Sequence, residues 1–285
     1  KLSKRLFIRA AIFLGGIGFV AGSTLFAIAY FTVSIPDPNA YVNSQATIIQ
    51  YANGEEIGRI GAQNRTIVSL TKIPLYLREA VMAAEDRDFY TNKAFSPIGI
   101  LRALKNNLLG GSLQGGSTIT QQYAKTAFLT SSRTIERKIK ELIIAMKLEN
   151  ALSKDQIFEN YLNTIYFGRG SYGVQTASQQ YFNRNVDQLN LSQTAVIASI
   201  LRSPGYYDPS LSEENGVRLE NRFQYVIDGM LNEGWITQEQ ADNAKFPTVA
   251  PRVTSGTLSG PKGHVISQVQ RDLGRLGFSE EQLLE

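Results

Sequence analysis

The sequence predicts a mainly α-helical protein carrying one small β ribbon, preceded by a single transmembrane helix. Three observations lead there. No charged residue occurs from Ala10 to Pro36, an alternating stretch turns about Asn53-Gly54, and from Pro74 to about Ala244 apolar residues recur at helical spacing. With 285 residues, 43% of them hydrophobic, the chain can bury a substantial core.

The uncharged run is long enough to cross a bilayer at about 1.5 Å per residue, so residues 10–35 are assigned to the span. Lys1, Lys4, Arg5 and Arg9 precede it, while the first charge after it is Asp37. This asymmetry places residues 1–9 in the cytoplasm and the rest outside the cell, in the cell membrane by one pass. A cleaved signal peptide is the competing reading, drawn from the small residues between Gly15 and Ser23. Its apolar core normally runs only about 7–15 residues.

Removing the four leading cations from 29 Lys and Arg leaves 25, against 25 Asp and Glu. The exported part is formally neutral, so the basic balance reflects topology and argues nothing for nucleic acid. Without cysteine the chain has no disulfide, thiolate nucleophile or cysteine-ligated metal.

Residues 36–72 hold the ribbon and a linker: TIIQYANGEEIGRI alternates, and Asn-Gly supplies the positive φ angles of a tight hairpin. Residues 73–245 form the main domain. Leu77, Val81 and Ala84 mark its first helix, with Pro74 suited to the first turn. Further helices are expected over 97–109, 118–128, 134–152, 154–163, 173–181, 192–201 and 214–233, joined by loops marked with Gly or Pro. Residues 246–285 read as a Pro/Gly/Ser/Thr-rich linker to 262, then the start of another helical piece. A chain that starts at Lys1 and stops at Glu285 within a helical pattern is expected to be part of a longer protein.

Four polar blocks carry the chemistry. In PLYLREAVMAAEDRDF, Glu85 falls near a helix C-terminus beside Asp86. The helix dipole and the neighbouring carboxylate disfavour its charge, as suits a general base. The plain alternative is an acidic pair closing a helix against Arg87. In GGSTITQQYAK, Thr118 and Gln121 make a capping-box pattern whose free N–H groups attract anions, with Lys125 two turns in. An ordinary capped helix is the alternative there.

On the helix from Thr134, Ile135, Ile139, Leu142 and Met146 are expected to form the main core stripe. Arg137, Glu141, Ile144 and Leu148 share another face, so Glu141 is expected buried with Arg137 and Lys138 beside it; a surface ion pair is the alternative. Lys125, Arg133, Arg137, Lys138 and Lys140 form a cationic cluster able to offset a pyrophosphate, or a solvated charged face. YLNTIYFGRGSYGV offers tyrosine surface to a sugar, though most of it reads as core and turn. IGILRALKNNLL could lie on a membrane surface or serve as a core helix. Metal-ligand spacing is absent.

In content and order these blocks resemble the peptidoglycan glycosyltransferases, the chain-polymerising (transglycosylase) domain of class A penicillin-binding proteins. The resemblance covers roughly residues 46–234. It implies a lysozyme-like, two-lobed fold whose cleft takes two lipid-linked substrates: lipid II as acceptor and the lipid-linked growing glycan as donor. On the same footing Glu85 is the catalytic base and Glu141 the second catalytic acidic residue. Asp86, Thr118, Gln122, Lys125, Arg133, Arg137 and Lys140 are substrate-binding positions. The product is a β-1,4-linked strand, with inversion and release of undecaprenyl pyrophosphate. Mg2+ or another divalent cation is an optional companion of the pyrophosphate, and cell-wall synthesis partners are implied.

The first block departs from the family pattern at Asn92 and Ala94, where a histidine and a glycine are usual, and Gln193 replaces a common acidic residue. A catalytically weak assembly partner and a lysozyme-like glycan-cleaving enzyme are the alternatives. The latter has no use for a pyrophosphate-sized cationic cluster. No SxxK block followed by KTG occurs, so these residues carry no expected transpeptidase centre, though one could follow in a longer protein.

Overall fold

The computed structural model describes residues 2–35, 47–60, 66–92, 117–129, 134–252 and 260–277. The first element, α1 (Leu2–Thr32), is a continuous 31-residue helix that starts ahead of the expected span and takes in Lys4, Arg5 and Arg9. Gly15, Gly16, Gly18, Gly22, Ser23 and Thr24 dilute its apolar run. Among the described residues no helix is long and apolar enough to cross a membrane, so the expected crossing over 10–35 has no support from this criterion. Phe7, Phe13, Leu14, Ile17, Val20 and Phe31 of α1 are exposed.

Strands β1 (Thr47–Gln50) and β2 (Glu56–Ile60) pair antiparallel, with Thr47 opposite Ile60. Gly54 takes φ +86° in the connecting turn, but Asn53 does not take a positive φ, and the connection runs over residues 51–55 in place of the expected tight two-residue turn. Thereafter the chain is helical: α2 (Leu75–Glu85), α3 (Ile119–Phe128), α4 (Ile135–Ala151), α5 (Lys154–Thr164), α6 (Val174–Phe182) and α7 (Leu191–Ile200). Then come α8 (Pro204–Tyr207), α9 (Glu213–Asn232), α10 (Gln238–Asn243) and α11 (Gly260–Arg275). Starts are set by side-chain caps: Ser153 with Gln156, Asn190 with Gln193, and Thr237 with Gln240 form reciprocal boxes. Gln193 thus does at its helix start what an acidic residue there would do. The helix expected over 97–109 lies outside the described residues.

Two helical groups share one core. α2 packs on α7 and α9, and α3 packs on α4 and α5. Leu77, Ala80, Val81, Ile119, Ala124, Ile144, Phe158, Val196 and Val226 interlock at their junction region, all essentially inaccessible. On α4 the expected stripe is corrected: Ile139 is 44% exposed, and Leu142 and Met146 are only partly covered. The face bearing Glu141, Ile144, Ala145 and Leu148 is the buried one, because α3 and α5 pack there.

Residues 246–252, read from sequence as linker, lie back on the domain. Phe246 meets Phe223 edge-on with ring centroids 5.6 Å apart, and Ala250 N–H donates to the Tyr181 carbonyl at 2.9 Å. Residues 260–262, also assigned to the linker, are instead the first turn of α11. That helix packs on the ribbon through Ile266 and Ile49. At the other end Asn150 Nδ2 donates to the Tyr30 hydroxyl at 3.3 Å and Lys147 donates to the Val33 carbonyl, docking the end of α1 onto α4.

Candidate active site

Glu85 ends α2 where that helix meets α3. Its side chain is about 12% exposed, and Gln122 Nε2 on α3 donates to its Oε2 at 2.8 Å. Arg222, from α9, stands 3.6 Å from Oε1 and donates to the Ala84 carbonyl at 2.9 Å, so it also closes the C-terminal end of α2. Oε1 itself is buried without a hydrogen-bond partner. Burial raises the proton affinity of Glu85 above the ordinary carboxylate value, while the Gln122 hydrogen bond and the charges of Arg222, Arg202 and Lys125 pull it back. The residue expected to be the base is therefore mostly buried, held by Gln122 and raised in proton affinity. Arg87, its expected sequence-local partner, turns instead to Glu233 at 3.7 Å.

Asp86 points to the protein itself. Its Oδ2 accepts the Ile119 N–H at 3.1 Å, joining α2 to the first turn of α3. Burial pushes its carboxyl up to about 6, against the Ile119 N–H and Lys154, with Asp88 and Glu149 adding to the rise. Thr118 caps α3 by accepting the Gln121 N–H at 3.2 Å. Lys125 is exposed in the last turn of the same helix, and three residues' spacing sets it on the same side as Gln122.

Glu141 is 2% exposed and doubly matched: Arg137 Nη1 donates to Oε2 at 2.9 Å, and Lys138 donates to Oε1. Lys138 also donates to Ser117 Oγ at 2.9 Å, tying α4 to the residue before the α3 cap. Lys140 stands apart, exposed and paired with Glu136 at 2.7 Å. Arg133 lies outside the described residues, as does Ala94.

The structure thus brings Glu85, Asp86, Thr118, Gln122 and Lys125 together around one helix junction, and sets Glu141, Arg137 and Lys138 beside it through Ser117. Arg222 and Arg202 were not singled out by sequence reasoning. Arg222 reaches the site from 138 residues beyond Ala84, and no local pattern could reveal that. Tyr161, read as core, is core and also bonds Gln122: its hydroxyl donates to Gln122 Oε1 at 3.1 Å.

In the rest of that tyrosine-rich block Phe167 is buried, whereas Tyr166 is 39% exposed. Asn163 Nδ2 and Oδ1 clasp the Val68 carbonyl and N–H at 2.8 and 2.9 Å. Gly173 takes φ +81°, with the Asn163 carbonyl oxygen where a Cβ would approach to 2.8 Å.

A transglycosylase family profile matches residues 53–231, the span that holds all of these groups. The chain belongs to the transglycosylase family. Penicillin-binding protein 1A of Mycolicibacterium smegmatis is 42% identical over 269 residues, covering 91% of this chain and 34% of the relative. Penicillin-binding protein 1F of Bacillus subtilis is 38% identical over 289 residues, covering 99% and 39%. This transglycosylase chain therefore spans little more than a third of the length of these two relatives. A crystal structure of penicillin-binding protein 1A from Haemophilus influenzae aligns over 82% of the chain and 25% of its own, at 22% identity and TM-score 0.41.

Among the described residues of the transglycosylase, no group of three or more His, Asp or Glu side chains could hold a metal ion. The carboxylates present are already matched: Glu141 by two cations, Asp86 by a backbone N–H, Glu85 by Gln122. As held here, these three offer no ready ligand set for a resident divalent cation among the described residues.

Proposed function

We propose that the chain is a membrane-anchored peptidoglycan glycosyltransferase that polymerises lipid II, with a lysozyme-like cleft between two lobes at the junction of its two helical groups. The observation that carries this is the buried Glu85 carboxylate, held at Oε2 by Gln122 and set on the same junction as Lys125. Glu85 removes the proton from the acceptor's C4 hydroxyl. That oxygen forms a bond to the donor's C1 from the face opposite the leaving group, and the C1–oxygen bond to undecaprenyl pyrophosphate breaks. The anomeric centre inverts, the proton rests on Glu85, and the electron pair leaves with the pyrophosphate.

Lys125, Arg137 and Lys138 supply positive charge on α3 and α4 for the departing diphosphate. Glu141 holds Arg137 and Lys138 in place, so its part is to orient cations. The exposed apolar side chains of α1 beyond Arg9, with four basic residues among positions 1–9, support anchoring in the cell membrane with the catalytic part outside. An apolar helix left unpacked is unfavourable in water.

The test is incubation of detergent-solubilised protein with labelled lipid II, alongside Glu85→Gln, separating polymer from monomer on a gel. Polymer from the parent alone is the expected result. Polymer from both removes Glu85 from the mechanism; none from either, with lipid II still bound, identifies a non-catalytic assembly partner.

A further inference from the structure

We infer that Tyr161 is a positioning residue for the base: through Gln122 it holds in place the amide that donates to the Glu85 carboxylate. This deepens the proposed reaction and rests on Glu85 being its base.

The geometry is a chain of two hydrogen bonds crossing three helices. Tyr161 on α5 donates to Gln122 Oε1 at 3.1 Å, and Gln122 on α3 donates through Nε2 to Glu85 Oε2 at 2.8 Å. A primary amide has one accepting end and one donating end, and rotation by half a turn exchanges them. With the amide reversed, its oxygen would face the Glu85 carboxylate, acceptor against acceptor. The Tyr161 hydroxyl, donating to the far end, holds the amide in the orientation that offers N–H to Glu85.

Tyr161 is well placed for this. It is fully buried, and its ring stacks on Phe158 at 6.5 Å with planes only 16° apart, so the hydroxyl has a fixed position. Burial and the nearby Glu85 and Asp86 charges push its phenol well above the ordinary tyrosine value, which keeps it protonated and donating.

The relay grips the carboxylate through Oε2, which accepts the Gln122 amide at 2.8 Å, while Arg222 stands 3.6 Å from the buried Oε1. A carboxylate oxygen that accepts one hydrogen bond keeps a second lone pair, so Gln122 can stay in place as the base takes up its proton.

The charged groups facing Glu85 are Arg222 from α9, Arg202 beyond α7, Lys125 from α3 and its neighbour Asp86. Tyr161→Phe alters none of them. It removes one oxygen and leaves the ring, freeing the Gln122 amide to reverse.

The experiment measures lipid II polymerisation across pH for the solubilised full chain, for Tyr161→Phe, for Gln122→Met and for the double variant. A hydrogen bond of about 1.4 kcal/mol to the charged state corresponds to roughly tenfold in rate. Tyr161→Phe is expected to lower the rate by about that factor on the acid side of the profile, where the ionised fraction of Glu85 limits turnover. It should also move the acid limb of the rate–pH profile upward and leave KM unchanged. Gln122→Met should show the same upward displacement, and Tyr161→Phe should add nothing once Gln122 is gone.

An unmoved acid limb in Tyr161→Phe, or an equal loss from that change in both backgrounds, overturns the inference. If Tyr161→Phe does not fold, the limb of Gln122→Met decides: displaced supports the relay, unmoved refutes it. Activity surviving in Glu85→Gln would instead sink the proposed base itself, so the two failures are distinguishable.

Discussion

Asp86 offers a sharp test of the site's electrostatics, because its neutral isostere keeps the one hydrogen bond it makes. In Asp86→Asn the side-chain oxygen can still accept the Ile119 N–H now held at 3.1 Å, while the buried charge disappears. Burial raises the folded-state value of Asp86 from 3.8 to about 6. The folded protein therefore holds this proton more tightly than the unfolded chain, and the associated stability is complete below the unfolded value and lost as pH rises through about 6. At 1.36 kcal/mol per unit, the rise from 3.8 to about 6 corresponds to roughly 3 kcal/mol.

Asp86→Asn should accordingly be the more stable protein at neutral pH by up to about 3 kcal/mol, the gap closing on acidification as Asp86 itself becomes neutral. Loss of attraction to Lys154 trims that figure. Urea unfolding followed by Trp235 fluorescence, with both proteins in a Glu85→Gln background to remove the neighbouring titration, measures the gap directly. A gap independent of pH, or a less stable Asn variant at neutral pH, would refute the reasoning.

Three further outcomes follow from the same structure. Lys125→Ala should weaken binding of lipid-linked substrate with little change in melting temperature, since Lys125 is exposed; unchanged affinity in a binding titration would return this helix to a plain capped element. Asp208→Ala should cost about 3–5 kcal/mol in chemical denaturation. It strands Arg169, which is 1% exposed and bonds Asp208 at 2.7 Å as well as the Gln180 and Ala250 carbonyls. Gly173→Ala should lower the melting temperature by more than an ordinary surface change, because φ +81° and the Asn163 carbonyl oxygen at 2.8 Å both oppose a Cβ. Retained stability there would show that the α5–α6 turn relaxes freely.

Helix positions were legible because apolar period and capping residues are local: Thr118 and Thr134 each mark a start that the structure keeps. The carboxylates Glu85 and Glu141 were legible from helix ends and from charges one turn away. The burial of the Glu141 face was visible as a possibility, but its precedence over the Ile139 face was not, since α3 and α5 decide it by packing. Arg222 and the Tyr161–Gln122–Glu85 chain were hidden for the same reason: each joins residues from separate helices, and no spacing rule spans them. Composition likewise marked 246–252 as linker, whereas Phe246 and Ala250 find partners only in the folded domain.

The meeting of Ile49 on the ribbon with Ile266 on α11 joins two ends of a long excursion of chain, and the whole candidate site lies within that excursion. Closing so long a loop is entropically expensive before the intervening helices have compacted, and the apolar contact that rewards it is small. Assembly should therefore run from the helical core outward, with this junction formed last and opened first. Limited proteolysis or hydrogen exchange would see it part while the helices around Glu85 stay protected, so the clasp can yield without the candidate site unfolding.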